Sequence, residues 1–89
     1  MSKAKREEQR LDKIAEIMRV AAEINAKTER AVFVRFSGHV ENMEIEVCRA
    51  KIGGYNVQDY VTNICLDDEP TVAQFNKRIN RLKRFLVEE

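Results

Sequence analysis

Apolar residues recur along the 89-residue chain with two different periods. Over residues 4–27 the spacing is helical. Leu11, Ile14, Met18 and Ala21 form a stripe, widened by Ile17 and Ile24, and Asp12, Glu16, Arg19, Glu23 and Lys27 fall on the opposite side. Arg19–Glu23 and Glu23–Lys27 are four apart and suited to pairing. The first ten residues are polar and are expected to fray. From Val32 the period drops to two. Val32, Val34 and Phe36 alternate with Phe33 and Arg35, and after a break at Ser37-Gly38, Met43, Ile45 and Val47 alternate with Glu44, Glu46 and Cys48. Each run predicts a strand with one wet face.

Gly53-Gly54 sits between Ile52 and Tyr55, a two-residue hairpin signal, and a third strand is predicted at about 55–66. The hairpin places Val47 opposite Tyr60, Ile45 opposite Thr62 and Met43 opposite Ile64, with both apolar sets on one face. Cys48 then faces Asp59. Nearer the turn the parity fails, which predicts a bulge around Arg49–Ala50 or Val57–Gln58. Asp67-Asp68-Glu69-Pro70 is read as the opening of a last helix, with Val72, Phe75, Ile79, Leu82 and Leu86 as its buried stripe. The predicted fold is therefore α+β. It has the order α-β-β-β-α, a three-stranded antiparallel meander with both helices on the Val34/Ile45/Thr62 face. Ile14, Met18, Ala21, Val34, Phe36, Ile45, Val47, Ile64, Phe75, Ile79 and Leu82 form the expected core of one domain, residues 1–89.

Charge changes this picture, because it is sorted by segment. Residues 1–35 carry nine basic and six acidic side chains, residues 36–69 two and seven, and residues 70–89 five and two. A formal net charge of +1 thus hides an acidic middle and a basic last segment. At about 100° per residue, Lys77, Arg81 and Arg84 share a narrow sector opposite the Phe75–Ile79–Leu82 stripe, flanked by Arg78 and Lys83. Such a ridge suits phosphate backbones or acidic protein grooves. The same spacing also serves a solvated helix face whose cations complement the dipole. No aromatic residue lies within the ridge to stack on bases.

On the wet face of the sheet, Glu44 and Glu46 lie near Asp59, a surface that could imitate phosphate. Ordinary solvation and edge protection also explain it. Tyr55, at the hairpin tip, is a candidate contact residue.

Catalytic and metal chemistry find little support. His39 is the single histidine and falls in the predicted connection Ser37–Asn42. No nucleophile motif surrounds it. Cys48 and Cys65 are 17 apart, without the close-spaced partners of a zinc site. The hairpin register separates them by roughly 20 Å, too far for a disulfide. Two thiols on a wet face suggest that this face is partly covered by a partner or a second copy. Wet, alternating carboxylates do not form an acid–base pair. The expectation is a non-enzymatic protein with no cofactor and no metal. No apolar run approaches the roughly 20 residues that span a bilayer. The N-terminus lacks a signal-peptide stretch, so a cytoplasmic location is expected, in a host cell if the chain is phage-encoded.

Two resemblances add to this. The α-β-β-β-α order with a basic last helix is similar to the double-stranded-RNA-binding domain, which implies shape recognition of A-form RNA. The cations here come one to three turns into the last helix. The segment Phe36-Ser37-Gly38-His39-Val40-Glu41-Asn42-Met43-Glu44-Ile45-Glu46-Val47 resembles a stretch in small accessory proteins of phages of Gram-positive bacteria. It is also similar to a stretch in some type II-A anti-CRISPR inhibitors. This implies a small phage protein that blocks a host nucleic-acid-handling protein.

Three functions fit these observations. One is a small binding protein acting by protein–protein contact through Glu44, Glu46, Asp59 and Tyr55. The second is a nucleic-acid-binding module using Lys77, Arg78, Arg81, Lys83 and Arg84. The third is a homo-oligomeric subunit that associates through the first helix or the sheet face.

Overall fold

A computed structural model describes residues 2–38, 41–50 and 57–87. Helix α1 (Lys3–Lys27) is followed by strands β1 (Ala31–Ser37), β2 (Asn42–Cys48) and β3 (Gln58–Cys65). A short 3-10 turn (Leu66–Asp68) then leads to helix α2 (Val72–Arg84). The strands form one antiparallel sheet in the order β1-β2-β3. The predicted α-β-β-β-α order and α+β class are the observed ones. Gly53-Gly54, Tyr55 and His39 lie outside the described residues.

Both ends of α1 are fixed by hydroxyl groups. Ser2 Oγ accepts from Lys5 N at 3.2 Å. At the other end buried Thr28 donates its hydroxyl to Ile24 O at 2.7 Å and accepts from Arg30 N at 3.1 Å. Thr28 thus gives the Ile24 carbonyl a second donor beside its own N–H where the chain leaves the helix toward β1. The predicted first-helix ion pairs form, Arg19–Glu23 at 3.5 Å and Lys27–Glu23 at 3.4 Å.

The buried face of α1 is Ile17, Val20, Ala21 and Ile24. It is rotated from the predicted stripe: Leu11 is 65% exposed and Met18 49%. The cause lies in the sequence, since α1 carries two apolar stripes. The covered one is set by where the sheet and α2 meet the helix. Ile14 packs against the core from its margin.

Phe36, also predicted to be core, is 59% exposed near the end of β1, and Val34 is half-buried. β1 is an edge strand, so one flank of its side chains has no neighbouring strand. The remaining core is Met43, Ile45, Val47, Ile64, Phe75, Ile79, Leu82 and Phe85. At about 1.5–3 kcal/mol for each large side chain removed from water, this single cluster supplies the main folding force.

Register follows the prediction through most of the hairpin: Met43↔Ile64, Ile45↔Thr62 and Val47↔Tyr60. It then shifts between Val47 and Cys48, so Cys48 faces Gln58 rather than Asp59. Asp59 is the extra residue of a bulge, which comes slightly earlier along β2 than expected and re-aims the Asp59 side chain.

Helix α2 also starts later than predicted. Asp68 and Glu69 precede it. Glu69 sits in the left-handed region at φ 50°, and buried Pro70 ends the connection. The N-cap is Thr71, whose hydroxyl accepts from Gln74 N at 3.3 Å while Gln74 Oε1 accepts from Thr71 N at 2.8 Å. This reciprocal capping box fixes the start and leaves no acidic residue in the first turn.

Core membership gives opposite expectations for two apolar residues. Phe85→Ala should lower the free energy of unfolding by about 3–5 kcal/mol, whereas Met18→Ala should change it by about 0.5 kcal/mol or less. Urea denaturation of the two variants measures both.

Candidate functional site

Basic residues predicted to form one ridge on α2 are divided between three tasks. Lys83 Nζ reaches across to Glu16 Oε2 of α1 at 3.7 Å. Arg78 turns onto β3. Its Nε donates to Thr62 Oγ1 at 3.1 Å, Nη2 to the Asn63 carbonyl at 3.2 Å and Nη1 to Gln74 O at 2.9 Å. Lys77 and Arg84 are exposed.

Arg81 departs from the ridge. It is half-buried, with its guanidinium carbon 5.3 Å from the Tyr60 ring centroid and 4.5 Å from that of Phe85. Phe85 is buried, which widens the apolar arc of α2 beyond the predicted stripe and brings its edge up to Arg81. Cation–π contact suits such a site, but ring faces satisfy no N–H group. Arg81 Nη1 is buried and makes no hydrogen bond.

Tyr60, Thr62, Lys77, Arg78, Asn80, Arg81 and Arg84 line a groove of ≈450 Å³ between α2 and β3. Among the described residues that line it, four of seven are cationic and none is acidic. Beyond Arg78 lies a smaller depression of ≈250 Å³ along Asn63, Ile64 and Cys65, with Asp68 in its lining. β3 has no strand on its outer side. Arg49 N donates to Val57 O and Leu66 N to Glu41 O across the β2–β3 pair. The antiparallel alternation therefore turns the backbone groups of Val61 and Asn63 away from β2. Arg78 meets the Asn63 carbonyl from that side.

Carboxylates on the sheet face are in a different condition. Arg35 pairs with Glu44 and lies 3.7 Å from Glu46, which also accepts from Gln58 Nε2. Asp59 is held by two arginines, Arg30 Nη1 at 2.5 Å and Arg49 Nη2 at 3.1 Å. The hydrogen bond from Arg30, then that from Arg49, holds its carboxyl below the usual range, against a smaller opposing effect of burial. Glu44 and Glu46 share the Arg35 side of the sheet while Asp59 is turned to Arg30 and Arg49, and each carboxylate is already matched by a partner. Tyr55, the fourth residue of that predicted surface, lies outside the described residues.

The thiols are also unlike one another, which corrects the expectation of two wet-face cysteines. Cys65 is exposed and Cys48 is fully buried. Cys48 Sγ donates to Glu46 Oε1 at 3.8 Å. Burial, and next the Glu46 charge, push its pKa up. Both effects disfavour the reactive thiolate.

Among the described residues no group of three His, Cys, Asp or Glu side chains is placed to hold a metal ion. Likewise no described helix is long and apolar enough to cross a membrane. Compared with known families, characterised proteins and solved structures, the chain matches none.

Two solution measurements follow from this geometry. With Ellman's reagent the native protein should yield one fast thiol, lost in Cys65→Ser, and the second only in denaturant. For Asp59 the folded-state pKa is depressed, so its stabilising contribution is complete above the ordinary carboxylate value of about 4. It is lost as pH falls through the folded value. The stability difference between wild type and Asp59→Asn, from urea titrations, should be constant near neutrality and shrink on acidification below about pH 4.

Proposed function

We propose that the protein is a non-enzymatic binding module that receives an acidic, extended segment of a protein partner in the groove between α2 and the free edge of β3. The observation that carries this is Arg81 Nη1, a buried guanidinium nitrogen without a hydrogen-bond partner, in a groove whose described lining includes Lys77 and Arg78 and no carboxylate. A buried donor left unpaired costs about 1–3 kcal/mol. An incoming carboxylate would satisfy it with a charge-assisted bond.

Two features favour a peptide over a nucleic acid. The outward backbone groups of Val61 run beside the groove and suit pairing with an added strand. Tyr60, the aromatic ring in the groove's described lining, already faces Arg81, so it offers no open platform for a base. The sheet carboxylates support a docking role less well, because phosphate imitation needs uncompensated charge and each of theirs is paired. Nucleic-acid binding through the same cations is the second reading, favoured by the basic lining and the α-β-β-β-α order. A narrower form of the protein-binding role, a phage inhibitor of a host nucleic-acid-handling protein, draws on the twelve-residue Phe36–Val47 resemblance.

Fluorescence anisotropy with a labelled Glu-rich twelve-residue peptide and a labelled RNA duplex of about 20 base pairs separates these. Peptide binding at low salt, weakening as salt rises and falling about tenfold or more in Arg81→Glu and in Lys77→Glu, is the expected result. No peptide binding at low salt ends the proposal. Tighter binding of the duplex, with the same sensitivity to both substitutions, replaces it with the nucleic-acid role.

A further inference from the structure

Three large apolar side chains gather on the flank of the molecule away from α2: Leu11 and Met18 on α1, 65% and 49% exposed, and Phe36 of β1, 59% exposed. Leu11 and Phe36 share a cleft of ≈410 Å³ with Ile14 and Leu66. On α1 the apolar series is Leu11, Ala15, Met18 and Ala22, spaced four, three and four apart, with both alanines exposed. This is the spacing of a helix–helix seam. It lies about a third of a turn or more from Glu16, which faces α2 through Lys83, so the fold itself leaves the seam uncovered.

We infer that this flank is a self-association surface, on which α1 packs antiparallel against α1 of a second copy about a two-fold axis between Glu16 and Ile17. The occupant is specified by the series itself. In an antiparallel pairing with that axis, Leu11 meets Ala22 of the other copy and Met18 meets its Ala15. Each large side chain therefore faces a small one at every layer, and the alanines permit the close end of the 8–10 Å interaxial range. A two-fold parallel pairing does not do this, because equal residues would then meet.

Charge agrees with the same register. Asp12 and Arg19 share one side of the seam, and two-fold pairing brings Asp12 of each copy near Arg19 of the other, giving two ion pairs. Arg19 is loosely held in the single chain, 81% exposed at its side chain with a 3.5 Å contact to Glu23. Phe36 lies beside Leu11 and extends the apolar area at each end. The interface is isologous, as closed two-fold assembly requires. It uses none of the groove residues, so it stands or falls apart from the peptide-binding proposal.

Sedimentation velocity over about 1 µM to 1 mM tests it, with far-UV circular dichroism confirming the fold of each variant. Wild type should show a monomer–dimer equilibrium, and Met18→Glu should remain monomeric throughout. Asp12→Arg and Arg19→Asp should each weaken the dimer several-fold. The double exchange D12R/R19D should restore it to within about twofold, a rescue that a role inside one chain would not give. In a Cys65→Ser background, L11C/A22C should oxidise to a covalent dimer while L11C alone should not. A monomer mass at every concentration, a dimer indifferent to Met18→Glu, or ready cross-linking of L11C alone would each overturn the proposal.

Discussion

Phe85 lies between two guanidinium groups, Arg30 at 4.6 Å from the ring centroid and Arg81 at 4.5 Å, with Tyr60 tilted against it at 6.3 Å. Arg30 comes from the turn after α1, Tyr60 from β3, and Phe85 from the end of α2. Arg30 also grips Asp59, which is held from the other side by Arg49 at the end of β2. One aromatic ring and one carboxylate therefore tie the α1–β1 turn, the residue that follows β2, β3 and the end of α2 at a single corner. The bulge at Val47/Cys48 belongs to the same construction, because it places Asp59 where two arginines can reach it. Without that anchor, α2 would rest on the sheet through Phe75, Ile79 and Leu82 and the hydrogen bonds of Arg78 to Thr62 and Asn63.

A three-stranded sheet with both helices on one face has a second face that no backbone layer covers. The molecule manages that face with side chains. Arg35 spans Glu44 and Glu46, Gln58 donates to Glu46, and Arg35 lies 5.7 Å from the Phe33 ring centroid. Exposed ion pairs of this kind each contribute about 0–1 kcal/mol, so the network adds little stability. It does keep Glu44 and Glu46 from being a free acidic surface. Phe33 and Val61 remain open between these groups as isolated apolar residues, which is ordinary for a protein surface.

Strand pairing was the most legible part of the sequence. A period of two leaves a single register in which Met43, Ile45 and Val47 share a face with Tyr60, Thr62 and Ile64, and that register is observed. The apolar stripe of α2 was nearly as plain. The face of α1 was not, because Leu11, Ala15, Met18 and Ala22 compete with Ile17, Val20, Ala21 and Ile24, and local periodicity cannot decide which series meets the sheet. Arg81 was misplaced for a related reason. Omitting Phe85 from the stripe left the buried arc too narrow, and adding it would have put Arg81 at its edge. The start of α2 did have a signal, Thr71-x-x-Gln74, a capping box masked by the more conspicuous Asp67-Asp68-Glu69-Pro70. Burial of Cys48 had none, since it depends on the bulge and on side chains of two strands.

Separation of the two candidate surfaces follows from the element order. α1 meets β1 at one edge of the sheet and α2 meets β3 at the other, so the uncovered flank of α1 and the cationic groove face different directions. Pairing of two copies through α1 would then present two grooves on one rigid body. Two weak acidic contacts on a single partner would reinforce each other, because the second binds at the effective concentration set by the first. Arg81 fits such an economy of contact. Its guanidinium is pre-positioned by Tyr60 and Phe85, so little side-chain entropy is lost when a carboxylate arrives. Under the proposed role, the unmet hydrogen bond at Nη1 would be a local cost to folding that an incoming carboxylate relieves.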